Sequence, residues 1–420
     1  MKALVVGAGA QGGPCAAILD RDPDFSAIVL ADIDIALANK VKARIQSDKI
    51  VPMRVDAANI EELNNAASGA AVIINLTLTE FNQNIMNVAL ENKAHYVDTS
   101  FGEPVLLDIL ARDNILSQII QNRPIAQDEA FKAANLTALV GCGGSPGMVN
   151  VFARYLCDKL DSVQEIRIKF GAKSLAESKP PVTGWRPIWS PFRALWGYAV
   201  EPAVFEQGEY KRLPLFAGCE AFDFPEPVGR CLISHHQHQE QITLPYFIKK
   251  GIRHCEFKYP VDYLAGAFAV MGFAKPEAVD VKGVKVVLRD VLLKLVPQPV
   301  NEFLIETEAS AKLPLEEFEI MRIEVTGSKS GENLSYTVVC PARFFWNSEE
   351  RLEIYRKLGA TGIDVALPAV VGAKMCIAGE AQKGVIAAEC LDPERFLKNM
   401  HRAGVKVRFH EACSKEVVFS

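Results

Sequence analysis

Ala3-Leu4-Val5-Val6-Gly7-Ala8-Gly9-Ala10-Gln11-Gly12 stands almost at the start of the chain, and the reading of the fold depends on it. A run of apolar residues breaks into GxGxxG and then into Gly13-Pro14-Cys15-Ala16-Ala17-Ile18-Leu19, an order that reads strand, tight turn, helix. In such a turn Gly7 permits the sharp bend, Gly9 lets the backbone approach a pyrophosphate, and Gly12 lets helix and strand pack closely. The backbone of Gly7, Ala8, Gly9, Ala10, Gln11 and Gly12 is therefore the expected phosphate cradle. The helix N-terminus behind it offers unpaired N–H groups and the positive end of its dipole. Pro14 falls in the first turn, where a missing N–H costs little. The next apolar run ends at Asp32, twenty residues beyond Gly12. A carboxylate there accepts both hydroxyls of an adenosine ribose and repels a 2′-phosphate, and no Arg follows it immediately. The expected cofactor is NAD rather than NADP. The other use of Asp32 is to cap the helix that follows.

Outward from that turn, apolar runs at 3–6, 27–31, 50–55, 71–76, 94–97 and 137–140 alternate with helix-like stretches. Runs with little polar alternation suit strands covered on both faces, so this segment reads as an α/β domain: a Rossmann doubly wound parallel sheet. Asn59 followed by Glu61 and Glu62 predicts a capped helix start, and the stretch 82–92 sets Ile85, Val88 and Ala89 on one face. Two further strand ends belong to the same crevice. Asp56 stands beside the adenine or else caps the helix from Ala58. Asn75 and Thr77 lie where the nicotinamide ribose or the pyrophosphate passes.

Beyond residue 148 the pattern changes. A helix over 148–160 precedes an alternating strand over 163–172, and a late hairpin pairs 318–325 with 334–339 across 327–333. With runs near 228–233 and 252–257, and a helix over 286–296 on one face, this predicts a second α+β domain built on a mostly antiparallel sheet. Prolines and tryptophans crowd 180–227, including Trp185, Trp189 and Trp196, which predicts irregular loops over a surface or a substrate lid. The stretch 360–377 is apolar nearly all round and reads as a buried helix, and Asp392-Pro393-Glu394 opens another with an N-cap and Pro at its first position.

After the fifth run comes His95-Tyr96-Val97-Asp98-Thr99-Ser100, and after the sixth Gly141-Cys142-Gly143-Gly144-Ser145-Pro146-Gly147-Met148-Val149-Asn150. With the opening GxGxxG, Lys258-Tyr259-Pro260, and Thr361-Gly362, Ala373, Met375, Gly379 and Gly384-Val385 in the tail, these segments resemble the saccharopine dehydrogenase-like family. That family includes saccharopine reductases, lysine 6-dehydrogenases and carboxyspermidine-type dehydrogenases. The resemblance spans most of the chain and is weakest over 175–255. It implies a dinucleotide-binding domain over 1–147 completed by 359–404, and a substrate and dimerisation domain over 148–358. It also implies an NAD(P)-dependent homodimer that moves hydride between nicotinamide and the carbon of a C–N bond in an amino acid or amine. Saccharopine reductases usually carry Asp just before the Pro-Gly, where this chain has Ser145, and that departure leans toward the lysine 6-dehydrogenase branch. Two other readings stand beside this one: a homospermidine-synthase-like transferase using NAD transiently, and a non-catalytic NAD-binding regulatory protein.

Candidate chemical groups follow. Asp98, at a strand's carboxyl end, holds a substrate ammonium or caps the loop after it. In His235-His236-Gln237-His238-Gln239-Glu240, His238 is the candidate proton acceptor, since only a neutral amine loses hydride to form an imine. In an extended strand His236, His238 and Glu240 share a face, as metal ligands do, but the family reaction needs no metal and none is expected. Thr99, Ser145 and Lys258 are candidate substrate contacts. Arg186, Arg193 and Arg230 join Lys258 as possible partners for a carboxylate. Cys142 has no neighbouring His in sequence and reads as a small pocket-lining residue.

Composition bounds the rest. A chain of 420 residues that is 49% hydrophobic and 23% charged is globular and too long for one ordinary core. Its net charge of −5 gives no electrostatic case for nucleic acid or an anionic membrane. The ten cysteines form no CxxC pair, which suits a reducing compartment, and no apolar run approaches the roughly 18 residues of a membrane span. The apolar start meets Asp20-Arg21-Asp22 with no cleavage-like region, so a cytoplasmic location is expected.

Overall fold

The computed structural model describes residues 1–100, 127–175, 184–185, 187 and 190–417. Its first part runs β1 (Lys2–Val6), α1 (Gly12–Arg21), β2 (Ala27–Asp32), α2 (Ile35–Ile45), β3 (Ile50–Arg54), α3 (Ile60–Ala67), β4 (Val72–Asn75), α4 (Asn82–Glu91), β5 (His95–Asp98), α5 (Asp128–Ala133), β6 (Thr137–Val140) and α6 (Met148–Cys157). All six apolar runs are strands. Leu4, Val6, Ile73 and Tyr96 face one core with Leu63, Ile85 and Phe131, while Ala3, Val5, Ile74 and Val97 face another with Cys15 and Leu19. Neither face is left for polar residues, which is why these runs do not alternate. Each large side chain so buried is worth roughly 1.5–3 kcal/mol against solvent exposure. The predicted cap is in place: Asn59 Oδ1 accepts from Glu61 N and Glu62 N at 3.1 and 3.2 Å.

The second part runs β7 (Ser162–Ser174), α7 (Pro191–Gly197), β8 (Ala203–Glu206), β9 (Glu209–Arg212), β10 (Glu220–Asp223), β11 (Arg230–His235), α8 (Glu240–Phe247), β12 (His254–Pro260), α9 (Tyr263–Val270), β13 (Ala278–Val281), β14 (Val284–Val287), α10 (Leu288–Leu295), two single-turn helices α11 (Glu302–Ile305) and α12 (Glu308–Ala311), β15 (Glu317–Lys329) and β16 (Glu332–Pro341). The chain closes with α13 (Ser348–Leu358), α14 (Ala366–Ile377), β17 (Gly384–Ala387), α15 (Pro393–Arg402) and β18 (His410–Lys415).

Seven strands form one parallel sheet in the order β17-β6-β5-β4-β1-β2-β3. The order reverses direction between β1 and β4, so a crevice opens beyond their carboxyl ends. β17 comes from the tail, and α14 before it packs so tightly on the sheet that a Cβ on Gly372 would lie 2.5 Å from Leu139. The second sheet has the path β10-β11-β12-β7-β15-β16-β18, with β8 and β9 attached beside β12. It is antiparallel except where β12 lies parallel to β7. One of its faces carries Ile166, Ile168, Phe170, Phe257, Ile323 and Val338 into the core shared with α6. The other carries Arg167, Lys169, Glu256, Lys258, Arg322 and Glu324.

Two details differ from the sequence expectation. The hairpin strands run on to Lys329 and from Glu332, leaving only Ser330-Gly331 as the turn, both with positive φ (52° and 83°). That two-residue turn follows the twist of the strands, so the polar run 327–333 is mostly strand. The helix at 288–295 does not cover the large sheet: Leu292 packs with Trp185, Leu195 and Ala265 in a separate apolar cluster. Trp189 and Arg186 lie outside the described residues. Among those described, no helix is long and apolar enough to cross a membrane.

Candidate functional site

The opening turn builds the first wall of the crevice. Gly7 adopts φ 103°, and a Cβ there would touch the Leu76 carbonyl at 3.0 Å; a Cβ on Gly12 would overlap the Gly7 carbonyl oxygen. A Cβ on Gly9 would meet nothing within 4 Å, so that side of the turn faces open space. Such a cradle, backed by the N-terminus of α1, fits a pyrophosphate. The Gln11 side chain turns the other way, accepting from Ala366 N at 3.1 Å, and so ties the turn to the start of α14.

At the end of β2 the Asp32 carboxylate accepts from Ala8 N at 2.7 Å and from Asp34 N at 2.8 Å. It does not cap α2, a task Asp34 performs through Ala36 N and Leu37 N. A carboxylate has about four acceptor positions, so hydroxyls can still be received. Across the strand pair Arg54 is engaged with Glu62 at 3.2 Å. Asp56 accepts from Ala58 N at 2.9 Å and closes that turn, but it does not cap the helix, which starts at Ile60 with Asn59 as its cap.

Asn75 and Asp98 lie beneath the crevice on the α4 side of the sheet. Asn75 Nδ2 donates to Asn82 Oδ1 (2.8 Å) and Tyr96 Oη (3.0 Å), while Asn75 Oδ1 accepts from Thr77 N and Oγ1 at 3.0 and 2.7 Å. Asp98 is 1% exposed. Its carboxylate accepts from Gly141 N (2.7 Å), Tyr96 Oη (2.9 Å) and Asn82 Nδ2 (3.2 Å), and also from the Ser100 amide. Burial pushes its pKa up to about 7 against those donors. This carboxylate fastens the ends of β5 and β6 to each other. Thr99 lies next to it, against Gly143.

The loop after β6 forms the second wall. Gly147 takes φ 129° where any Cβ would overlap Gly143, and Asn150 Oδ1 accepts from Gly147 N at 2.9 Å to close the turn. Cys142 is buried below, its Sγ donating to the Pro368 carbonyl at 3.3 Å, and desolvation drives its pKa well up. Ser145 emerges on top. Its Oγ donates to Glu240 Oε1, and Glu240 Oε2 holds His238 Nδ1. Glu240 is fully buried, and the His238 ring stacks on Phe257 at 4.4 Å between centroids. Gln239 Nε2 donates to Ser100 Oγ at 3.1 Å. The segment 238–240 is therefore docked on the carboxyl ends of β5 and β6.

The His-rich run does not stay extended, because α8 begins at Glu240. His236 is enclosed between Tyr198 and Tyr259, where burial lowers its pKa to about 3, and His235 faces Glu256 on the outer side of the sheet. Lys258 is not brought to the crevice. It points opposite to Phe257, onto the charged face, and binds Gly218 O and Glu220 at 3.0 and 2.8 Å. Arg230 faces Asp223 at 3.9 Å on the exposed surface, whereas Arg193 reaches across to Thr79 Oγ1.

Several participating groups were not singled out from sequence. Glu389, in the single helical turn just after β17, is fully buried and accepts from Asn150 Nδ2 at 3.0 Å; the same amide donates to Thr243 of α8 at 3.2 Å. Burial pushes Glu389 up to about 7. Asp364 places its carbonyl against Gly144, and Val365 lies against Gly143. The one local signal was the spacing from Pro146-Gly147 to Asn150.

Residues 3–139 match the family model described as saccharopine dehydrogenase NADP binding domain, and residues 143–405 match the saccharopine dehydrogenase C-terminal domain. A carboxynorspermidine synthase of Vibrio cholerae is 26% identical, with 96% of each chain covered. A carboxyaminopropylagmatine dehydrogenase of Synechocystis is 23% identical, again over 96% of each. Among solved structures, a saccharopine dehydrogenase (L-Glu forming) from Saccharomyces cerevisiae superposes with a TM-score of 0.67 at 14% identity, covering 98% of this chain and 99% of that one. A homospermidine synthase from Legionella pneumophila in complex with NAD gives 0.62 at 12% identity, over 98% and 91%. These two likenesses concern the fold.

Proposed function

Since the chain belongs to the saccharopine dehydrogenase family, we propose that it is an NAD-dependent oxidoreductase of a C–N bond in an amine that also carries a carboxylate. Residues 1–147 with 359–404 hold the cofactor in this reading, and 148–358 hold the substrate; the pairing of β17 with β6 supports that division. The relatives that match over nearly full length carry names of carboxylated polyamine-type compounds, which favours such an amine over lysine itself.

The observation that carries the reading is the chain Ser145–Glu240–His238, which joins the loop after β6 to the second sheet above the crevice. Bound NAD would supply the hydride acceptor. Oxidation removes one hydrogen from carbon as hydride and one from nitrogen as a proton, leaving an imine. His238 takes the nitrogen's proton, with Glu240 orienting the ring through Nδ1 and stabilising the cation that forms. Ser145 holds the other carboxylate oxygen of Glu240, and the Phe257 face fixes the plane of the imidazole. In the reverse direction the same imidazolium returns the proton. Asp98 acts beneath, positioning Thr99, Ser100 and Gly141 rather than meeting the substrate. Asp32 at the ribose position supports NAD over NADP, because a 2′-phosphate would bring roughly two negative charges against it.

The test is turnover with NAD or NADP against a panel of lysine, saccharopine and carboxylated triamines, read as nicotinamide absorbance. Steady reduction of NAD with a carboxylated triamine is the expected result. Aminoalkyl transfer without net reduction would replace it with a transferase that uses NAD transiently. The family resemblance implies a homodimer, which sedimentation of the same preparation checks.

A further inference from the structure

Away from the Ser145–Glu240–His238 chain, the inner face of the second sheet carries a rigid aromatic stack. Phe257 bears His238 on one side and stands near-parallel to Tyr259, 6.4 Å away and inclined by 12°. Phe170 packs against both rings at 5.4 and 5.7 Å, and His236 backs Tyr259 at 5.4 Å. At the Tyr259 end lies a cavity of about 440 Å³, walled by Ala172, Tyr198, Tyr259, Pro260 and Leu264 together with Asp262. Its size and aromatic walls suit part of a small ligand.

A second carboxylate besides Asp262 bonds to Tyr259, one of the walls of this cavity. Glu319 of β15 pairs across the ladder with Ala172, and its Oε1 accepts from Tyr259 Oη at 2.9 Å. Asp262 is occupied as the cap of α9, accepting from Leu264 N and Ala265 N at 3.0 Å each. Arg343, the nearest cation to Glu319 in electrostatic terms, is itself bound by Glu302 at 3.1 Å. Desolvation penalises the charged form of Glu319 and lifts its pKa to about 7; the Tyr259 hydrogen bond opposes this and Asp364 adds to it. A half-buried carboxylate in that state gains from a cation brought beside it, and the flanking rings favour the same cation. Asp364, whose charge acts on Glu319, also places its backbone carbonyl against Gly144 in the loop after β6.

We propose that Glu319, with Tyr259 and the adjoining cavity, is the subsite for a second, distal amino group of the substrate, so that the protein selects amines bearing a second cationic nitrogen. This rests on the amine-oxidoreductase reading for the identity of the cleft, and it assigns the specificity to a residue remote from the proton-handling chain. The stacked rings hold the two ends at a fixed separation, so the length of the amine is selected as well as its charge.

The test is calorimetric titration of the full chain, loaded with NAD, using 1,4-diaminobutane and 1-aminobutane, which share a carbon chain and differ by one amine. The wild type is expected to bind the diamine about tenfold or more tightly than the monoamine. Glu319→Gln, which keeps the size and still accepts from Tyr259, is expected to bring that ratio to within about twofold with NAD affinity unchanged. Ala172→Leu narrows the cavity from an exposed strand position and is expected to do the same, which covers the case in which Glu319→Gln fails to fold. Equal binding of the two amines by the wild type overturns the proposal, as does a wild-type ratio retained in the variants. If the wild type oxidises no amine yet shows this preference and its loss, the redox reading falls and the subsite stands; oxidation with an unaltered preference does the reverse.

Discussion

At the scale of single residues, the site depends on which atoms remain to meet a ligand. Asp32 uses Ala8 N and Asp34 N to aim its carboxylate into the crevice. Asp32→Ala should therefore weaken NAD binding by about ten- to a hundredfold and erase discrimination against NADP, measured by titrating both nucleotides. An unchanged preference would remove Asp32 from the ribose site. Glu240→Gln keeps the shape of the Ser145–Glu240–His238 chain but not the charge that steadies an imidazolium. We expect kcat to fall by about 10²–10⁴-fold with little change in KM, and the pH profile of kcat to shift; a KM effect alone would make Glu240 structural. The place of Asp32 at the end of β2 was legible in the sequence, because the opening turn and the length of one βα unit fix where that strand ends. Strand parity sets the direction of Lys258: residues 257 and 259 face the core, so 258 faces the charged side and meets Glu220. Glu319 and Glu389 gave no sequence signal, since their partners are brought to them only by the folded sheets.

At the scale of elements, the loop after β6 and the buried end of β17 act together. Asn150 closes the loop through Gly147 N and also bonds Glu389 and Thr243, so one amide ties β17, α6 and α8. Gly147→Ala should abolish this turn and destabilise the protein by about 3 kcal/mol or more, because both φ and space forbid a Cβ. Equilibrium denaturation measures it. Glu389 titrates near 7 in the folded chain and near 4 when unfolded. Between those values the native state holds a proton that the unfolded chain has lost, so its contribution to stability is full at low pH and is lost as pH rises through 7. Glu389→Gln should therefore gain on the wild type by about 1–3 kcal/mol on going from pH 5 to pH 8, and a pH-independent difference would contradict the assignment. Element boundaries were readable where local chemistry sets them, as at the caps Asn59 and Asp392. They were not readable at the β15–β16 hairpin, where long-range pairing recruits polar residues into strand.

At the scale of the whole molecule, the two sheets meet through a few polar bonds above a shared apolar core. Ser145 to Glu240, Asn150 to Thr243 and Arg193 to Thr79 all cross between them. The tail returns to extend the first sheet with β17 and the second with β18. Periodicity alone could not show that threading, because a parallel edge strand and an antiparallel one look alike in four to six residues; the resemblance in the tail motifs implied part of it. The glycine turn after β1 and the Ser145–Glu240–His238 chain both stand at the carboxyl ends of the parallel strands. In the reaction proposed for the protein, hydride passes from the carbon of a C–N bond to the nicotinamide. The most direct measurement is a single turnover of NAD with carboxynorspermidine deuterated at the carbons flanking its secondary nitrogen, followed by magnetic resonance of the nicotinamide ring. Deuterium in the reduced ring is the predicted result; consumption of the amine with an unlabelled, unreduced nicotinamide would contradict the account.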